Sequence, residues 1–481
     1  MVIASSRQVE FSDCNKFNRS ELYPLRSARP SASDGYVWNW AHNAILAGRS
    51  QVRRPRTEKG LGRMVATHPG RVRVVGSRFS AGPLLRGDDS GELLIDMTAI
   101  AGVLDVADDT VTFAGGTQLS VVFDSLTRMG RMLDCSPGVI ATQTIAGAIS
   151  TGTHGQGMNH ASLADVVVAI RLVLADGSVR TVERDEAIFP AVQVALGSLG
   201  VITAVTLRTV AIRIFTCYKD AVSADSLESD LLQWNDSFEL SKAWWFVDDN
   251  VVHVWNAHEA LPDHADRYRR AGGHVIEHAA GDSSLNGTID GVLARMRRDT
   301  LVVGDTGEQF RTVTRFKDFT DVTADINQVF CRGIAVPQIN VEIAVPLDRA
   351  GAAIRKFRDW YAAEQFHLHY PIILRCTGAS SAWLSPAYQN RTCFFGFVVY
   401  YADDGTLSPE GLDFIEKAEK LLAAEGGRPH WGKYFNSDLY SWGQLYPQWS
   451  QFCALRDELD PAGKFSNEHT RGLFGISLRN L

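Results

Sequence analysis

The 481-residue sequence has no run of about 18 apolar residues, the length a helix needs to cross a bilayer, so no membrane span is expected. Its first residues, Met-Val-Ile-Ala-Ser-Ser-Arg, lack the apolar core of a secretory signal, and a cytoplasmic location is the expectation. The seven cysteines (Cys14, Cys135, Cys217, Cys331, Cys376, Cys393 and Cys453) are scattered, odd in number and without CxxC spacing. That pattern fits a reducing compartment better than a disulfide framework and makes no zinc site, and no metal is expected. A basic stripe is also lacking. The formal charge is −7, which argues against nucleic acid as a partner and leaves a small molecule as the expected one. With 45% hydrophobic and 21% charged residues the chain is globular, and its length exceeds one ordinary domain.

What the sequence does have is concentrated in Gln143-Thr144-Ile-Ala-Gly147-Ala-Ile-Ser150-Thr-Gly152-Thr153-His154-Gly155-Gln-Gly157. Glycines and hydroxyls alternate there with short apolar side chains, so backbone N–H groups can approach an anionic or planar ligand with no Cβ in the way. The apolar run from Asp165 to Leu174 follows at once and reads as a buried strand, so the segment is expected to be a ligand cradle and not a linker.

Along the chain, residues 1–35 are polar, aperiodic and expected to form an arm. Arg71 to Val75 reads as a strand, and Gly76-Ser77-Arg78-Phe79-Ser80 as a tight turn after it. Short strands are expected at 93–96, 102–106 and 110–115, a helix at 118–130, and a hairpin around Asp176-Gly177. A helix over 189–195 precedes Gly197-Ser-Leu-Gly200-Val-Ile202-Thr203 and a strand to Val210. From Arg213 the strands become more aromatic, at 243–248 and 251–255, and 258–310 reads as polar loop. Strands at 340–345, 371–375 and 392–401, with helices at 350–363 and 409–424, imply an antiparallel sheet backed by helices. A tail rich in glycine and aromatics opens at Arg428-Pro-His430-Trp-Gly-Lys433.

These segments, in this order, resemble the vanillyl-alcohol-oxidase-type flavoproteins, and within them the aldonolactone and alditol oxidases. The resemblance rests on Val74 to Ser80, Thr144 to Gly155, Ser198 to Thr203, Pro429 to Lys433, and Leu459-Asp-Pro461-Ala-Gly-Lys464-Phe465. It implies an α+β fold in which two subdomains, residues 36–212, bind FAD. A cap domain with an antiparallel sheet would span 213–424, and 425–481 would return to the FAD-binding domain. It further implies that Gly76–Ser80 and Gly147–Gly155 meet the FAD pyrophosphate, with Gly200 and Ile202 on the adenosine or ribityl half. Lys433 would sit by the flavin pyrimidine edge, where its charge stabilises the reduced ring. His430 would pack beside the flavin and Gly138 near its face, where a missing side chain leaves room for O2.

The sequence also departs from the family. The first loop commonly carries a histidine bonded to the flavin where this chain has Phe79, so FAD is expected to be non-covalent; Cys135 is the nearby alternative nucleophile. Alditol oxidases carry a Glu-x-Arg pair where this chain has Ile373 and Arg375, and family histidine and threonine positions align with Gly396 and Val398. An unpaired sugar hydroxyl costs about 1–3 kcal/mol, so this more apolar wall implies a bulkier, less hydroxylated substrate, such as a secondary-metabolite intermediate.

Arg375 and Lys433 are the candidate catalytic residues, with Asn340 a substrate contact. Glu342 is either a base or the ion-pair partner of Arg375. Tyr400 is a base, an orienting hydroxyl or core, and His154 contacts backbone or FAD or acts as a base. The implied activity is an FAD-dependent oxidase taking a hydride from a CH–OH or CH–NH carbon, with O2 as acceptor and hydrogen peroxide as product. The alternatives are a dehydrogenase serving a quinone or cytochrome, and a flavin-binding protein without turnover.

Overall fold

The computed structural model describes residues 35–476 except 42, 88–90, 137, 279–283, 299–320, 332–337, 369 and 401–408. The expected N-terminal arm therefore lies almost wholly outside the described residues. Strands β1 (Tyr36–Trp38) and β2 (Ile45–Gly48) form a small hairpin. Three parallel strands follow, β3 (Val52–Arg53), β4 (Val72–Val75) and β5 (Leu93–Asp96), in the order β3-β5-β4. Helix α1 (Glu58–Thr67), which the sequence pattern did not announce, packs on them through Leu61 and Val65; the Thr57 hydroxyl caps it by accepting from Gly60 N–H.

A second, antiparallel sheet holds β6 (Val103–Val106), β7 (Thr110–Ala114), β8 (Arg131–Leu133), β9 (Val167–Val173), β10 (Val179–Glu183) and β11 (Val201–Ala211). The expected Asp-Gly hairpin is β9–β10, with Gly177 at φ +82° and Val179 opposite Val173. The sheet buries one face against α2 (Leu119–Arg128), α3 (Ile145–Ser150) and α4 (Phe189–Gln193). The C-terminal helices α11 (Trp442–Leu445), α12 (Trp449–Leu459) and α13 (Glu468–Phe474) join the same core. The segment expected to be a Gly- and aromatic-rich tail is thus largely helical.

The third sheet has nine strands. They are β12 (Ile214–Ser223), β13 (Leu240–Phe246), β14 (Val251–Glu259), β15 (Ile276–Glu277), β16 (Val322–Asp325), β17 (Gln338–Pro346), β18 (Ile372–Thr377), β19 (Thr392–Tyr400) and β20 (Arg428–Pro429). Their order is β15-β16-β12-β14-β13-β18-β19-β17-β20, and all pairings are antiparallel. Helices α5 (Leu227–Ser237), α9 (Leu347–Glu364) and α10 (Pro409–Ala424) cover one face. On α9, Ala350, Ala353, Ile354, Phe357 and Tyr361 make the apolar stripe, and Gln365 at φ +57° ends the helix. Phe357 is fully buried against Phe397 and Phe414, so Phe357→Ala is expected to cost about 3–5 kcal/mol. In β17 the alternation is clean: Ile339, Val341, Ile343 and Val345 join this core, which turns Asn340 and Glu342 to the opposite face.

The expectation of polar loop at 258–310 is corrected. Two helices occupy the described part, α6 (Pro262–Arg270) and α7 (Ser284–Arg298), while 299–310 lies outside the described residues. Helix α6 is strongly polar and α7 mixed, and among the described side chains each buries a narrow stripe, Ala265 and Tyr268 on α6 and Leu285, Ile289 and Val292 on α7. The last helix to name, α8 (Ile326–Phe330), is capped by Asp325. No described helix is long and apolar enough to cross a membrane.

Candidate active site

A cavity of about 570 Å³ lies between the Gly-rich segments and the face of the nine-stranded sheet opposite α5, α9 and α10, within the size range of ligand sites. One wall is the cradle: Gly76 to Ser80, Gly138, Thr144, Gly147, Ser150, Thr153, His154, Gly200 and Ile202. The cradle contains the six-residue helix α3, a departure from the open Gly/Ser/Thr backbone its composition implied. Gly152 follows this helix at φ +72° and does not line the cavity; its role is to turn the chain. A Cβ on Gly76 would stand 1.9 Å from Thr144 Oγ1, so the turn and the cradle meet only because residue 76 is glycine. Gly200, at φ +148°, takes a conformation that residues with a Cβ rarely adopt. Arg78 is held at φ +62°, uncommon for a residue with a Cβ; such local strain clusters at ligand sites.

Phe79 lines the cavity and packs on Trp40, 5.5 Å between ring centroids. The alternative nucleophile, Cys135, is in the core behind the cradle and does not line this cavity; burial pushes its thiol up to about 12. It is a structural thiol.

The other wall is built from side chains on β17, β18, β19 and the segment after β20. Register sets two rows across the strands. Glu342 lies opposite Gly396, Gly396 opposite Ile373, and Ile373 opposite Trp244; beside them, Phe394 lies opposite Arg375 and Arg375 opposite Lys242. Asn340 lies opposite Val398. The C-terminal segment is tied to β17 by His430 N–H donating to the Glu342 carbonyl (2.8 Å) and Tyr434 N–H to the Asn340 carbonyl (3.0 Å). That attachment brings His430 and Lys433 into the site. The two walls are joined by Gly157 N–H on the Cys376 carbonyl (2.7 Å) and Arg375 Nη1 on the His154 carbonyl (3.3 Å).

At the junction is a buried polar cluster. Arg375 and Glu342 form an ion pair through Nη2 and Oε1, the pairing that was one of the two readings of Glu342. Glu342 Oε1 is also 3.6 Å from His154 Nε2. Burial alone would raise the Glu342 carboxyl, but Arg375, His154 and Lys433 outweigh it and hold it well below the usual carboxylate range. The His154 ring stacks on Phe394 at 3.5 Å, and its Nδ1 donates to the Gly155 carbonyl at 3.0 Å. A carbonyl can only accept, so Nε2 of neutral His154 carries the lone pair. Burial and then Arg375 lower its pKa against the pull of Glu342, which keeps the ring neutral. His430 has the opposite tautomer: Gly432 N–H donates to its Nδ1 (3.0 Å), so Nε2 of the neutral ring carries the proton, and burial lowers its pKa to about 3. Burial also lowers Lys433, with Glu342 opposing.

Four buried polar atoms in this cluster have no hydrogen-bond partner among the described residues: His154 Nε2, Asn340 Oδ1, Glu342 Oε2 and Arg375 Nε. Buried polar groups are almost always paired, so four in one cavity mark the seat of a ligand. Ligand atoms of His154, Glu342 and His430 also lie within 4.8 Å of one another, a metal-like spacing. Two adjacent cations, Arg375 and Lys433, and the Nε2–H of His430 oppose a bound cation. Tyr400 lines the cavity with its ring edge-on to Tyr370 (6.1 Å, 89°), and burial pushes its phenol well above the ordinary value, which disfavours the phenolate. Sequence patterns did not single out Lys242, Trp244, Trp255, Phe330 and Tyr370, which extend the sheet wall. Their only signal was an aromatic excess in the strands, which reads equally as core.

A wall of glycines and hydroxyls with Arg78 and Lys433 along it fits an anionic pyrophosphate and a planar ring, the chemistry of FAD. Comparison with known proteins agrees. Residues 51–183 match the FAD binding domain family, and residues 205–473 match the D-arabinono-1,4-lactone oxidase family. The chain is 29% identical to the L-gulono-1,4-lactone dehydrogenase of Mycobacterium tuberculosis, over 91% of this chain and 99% of that protein. It is 27% identical to the L-gulonolactone oxidase of Bos taurus (84% of this chain, 90% of that protein) and 25% identical to a Streptomyces alditol oxidase (91% and 98%). In fold it resembles the cholesterol oxidase of B. sterolicum, with a TM-score of 0.72 at 14% identity over 92% of this chain and 96% of that one. From sheet order, cavity and these matches together, the chain belongs to the D-arabinono-1,4-lactone oxidase family and is an FAD-dependent oxidoreductase of the aldonolactone/alditol oxidase type.

Proposed function

We propose that this chain is an oxidase that holds FAD non-covalently and oxidises a CH–OH carbon of a bulky, sparsely hydroxylated substrate, with O2 as electron acceptor. The observation that carries the reading is the cluster of His154, Asn340, Glu342 and Arg375, four residues that line one cavity beside an FAD cradle and each hold a buried polar atom without a hydrogen-bond partner among the described residues. Bound FAD supplies the hydride acceptor. Arg375 Nε donates to the substrate oxygen, and its Nη2 fixes Glu342. The substrate hydroxyl proton passes to the lone pair of His154 Nε2, and the Glu342 carboxylate 3.6 Å away stabilises the imidazolium. Asn340 Oδ1 accepts from a second polar group of the substrate, and Lys433 and His430 Nε2–H supply positive potential near the flavin.

Substrate bulk is favoured by Ile373, Val398 and the absent side chain of Gly396, which replace the hydrogen-bonding groups a polyol would use. A Cβ on Gly396 would meet Ile373 Cβ at 3.4 Å and Glu342 Oε1 at 3.7 Å, so this residue opens the wall between the carboxylate and the apolar patch. Phe79 and the inert Cys135 support non-covalent flavin, and glycine at 138 supports access for O2.

Two measurements test the reading. Acid precipitation should leave yellow flavin in the supernatant; a yellow pellet refutes non-covalent binding. After anaerobic reduction by substrate, admission of air should reoxidise the flavin far faster than free reduced flavin, with peroxide formed. Reoxidation no faster than that, together with turnover on a quinone or cytochrome, replaces the oxidase with a dehydrogenase.

A further inference from the structure

The imidazole of His154 is covered on one face by the ring of Phe394. The ring centroids are 3.5 Å apart and the planes 23° from parallel. In β19 the side chains of Cys393, Phe395 and Phe397 enter the core beneath the helices, so Phe394 projects from the other side of the strand. There it lies opposite Arg375 on β18 and Ala344 on β17. Small neighbours, Ala344 and Ala387, complete its seat. Phe394 is 1% exposed and does not line the cavity, so it backs His154 without reaching a ligand.

Two polar contacts fix the imidazole within its plane: Nδ1 donates to the Gly155 carbonyl, and Nε2 is 3.6 Å from Glu342 Oε1. The stacked ring stops it from tipping out of that plane. An aromatic face carries negative potential and attracts a cation laid over it, more strongly where water is excluded. Neutral imidazole gains little from such a face, whereas imidazolium gains a great deal. The surrounding groups pull both ways. Arg375 opposes protonation of His154 and Glu342 favours it. Lys433 draws on the same carboxylate, and His430, 5.6 Å away, is kept neutral by burial. Phe394 adds a stabilising contact for the protonated ring that Arg375 and Lys433 do not share.

We propose that Phe394 is a positioning residue for His154: its ring holds the imidazole with Nε2 towards Glu342 and the cavity, and its face stabilises the imidazolium that forms when Nε2 takes the substrate hydroxyl proton. In that step the substrate O–H bond breaks as an N–H bond forms at Nε2, and the hydride leaves the same carbon for bound FAD, so a carbonyl remains. The proton transfer rests on the function proposed above; the coupling of the two rings rests on their contact alone. Because the imidazolium exists only after the proton has moved, this contact favours the transition state over the bound substrate. A packing role alone would need apolar volume at residue 394 and not a ring face.

The test replaces Phe394, in the full-length holoprotein, by mono-, tri- and pentafluorinated phenylalanine, which keep its shape while withdrawing negative charge from the ring face. The protonation midpoint of His154 is read from its Cε1–H NMR signal, assigned by its absence in His154→Gln. The midpoint is expected to fall in steps with fluorine number, by about one pH unit in all. Phe394→Leu should lower it as far as the pentafluorinated ring does, and Phe394→Tyr should leave it close to wild type. The same fluorinated series at Phe357, in the core on the other side of the sheet, should leave it in place. A midpoint that does not follow fluorine number at residue 394, or that moves as much in the Phe357 series, overturns the proposal. Normal flavin content and melting temperature exclude a folding defect, and the monofluorinated ring is nearly isosteric. The rate of anaerobic flavin reduction by para-phenylbenzyl alcohol should fall along the same series. If the midpoint follows fluorine number but the rate does not, or this alcohol never reduces the flavin, the coupling of the rings stands and the proposed oxidation is what fails.

Discussion

The cradle wall and the sheet wall enclose the same cavity with different materials. The cradle consists of turns, one six-residue helix and residues with little or no side chain, drawn mostly from short contiguous stretches. The sheet wall consists of long side chains drawn from β13, β14, β17, β18 and β19, brought side by side by strand register. Backbone groups cannot be substituted, so a cradle made of them can serve one cofactor while much of the sequence varies. Side chains can be exchanged one at a time, so the substrate wall can move from polyols to other compounds without rebuilding the sheet. Ile373 and Gly396 show this: where a polar residue is expected, an apolar or absent side chain stands, while Arg375 keeps its place.

If that contrast is right, single substitutions should hurt far more on the sheet wall. The largest effect is expected from Arg375→Ala, which leaves Glu342 buried without its counter-charge. Stability should fall by about 3–5 kcal/mol, and kcat/KM by about a thousandfold, read by chemical denaturation and by turnover. Removing both charges, as Arg375→Met with Glu342→Met, should restore much of the stability and none of the activity. An Arg375→Ala protein with unchanged stability would break the contrast.

Next is His154→Gln, a residue of the cradle whose function belongs to the sheet wall. The expected loss in kcat is about 10²-fold or more, with normal flavin content. The His154 pKa lies below the ordinary histidine value, so wild-type activity should persist through pH 6.5 and fall only at more acid pH as Nε2 becomes protonated. The variant should lose that acid limb. Retention of the limb would assign the titration to another group.

A control distant from both walls is Glu419 on α10. It is 1% exposed and accepts hydrogen bonds from Asn436 N–H (2.9 Å) and the Tyr440 hydroxyl (2.8 Å). Burial nonetheless pushes its pKa up to about 7, above its unfolded value of about 4.5. The favourable contribution is therefore complete below pH 4.5 and is lost as pH rises through 7. Glu419→Gln should remove this dependence and be more stable than wild type at pH 8, by on the order of 2 kcal/mol, with activity unaltered. Parallel stability curves for the two proteins from pH 5 to 8 would show that the carboxyl does not titrate there.

The smallest effect is expected from Ser150→Ala on the cradle. It removes one hydroxyl from a wall built mainly of backbone, so FAD should bind less tightly by about 1 kcal/mol, measured by equilibrium dialysis. A loss of bound FAD as complete as that caused by disrupting the backbone would mean that cradle side chains matter as much as those of the sheet.

The sequence was most legible where the site is contiguous. Gly147 to Gly155, the Gly76 to Ser80 turn and the Asp-Gly hairpin could each be read from adjacent residues. Its blind spots have physical causes. Helix α3 has only six residues, one of them Gly147, too few to hold a helix alone, and is stabilised by burial of Ile145, Ala148 and Ile149 in the core. Helices α6 and α7 hide thin apolar stripes among charges, although the i, i+4, i+7 spacing of Leu285, Ile289 and Val292 was visible in the residues themselves. Lys242 looked like an ordinary strand lysine, because nothing near it in sequence shows which rings surround it.

By itself, then, the sequence determined the α+β class, the FAD cradle and the face of β17 that carries Asn340 and Glu342, because each depends on residues within a few positions of one another. The tertiary structure decided that Glu342 pairs with Arg375, that His154 presents a bare Nε2 to them, and that Lys242 lies one strand further on. Those facts depend on strand order and register, which join residues more than a hundred positions apart and leave no local trace in the chain.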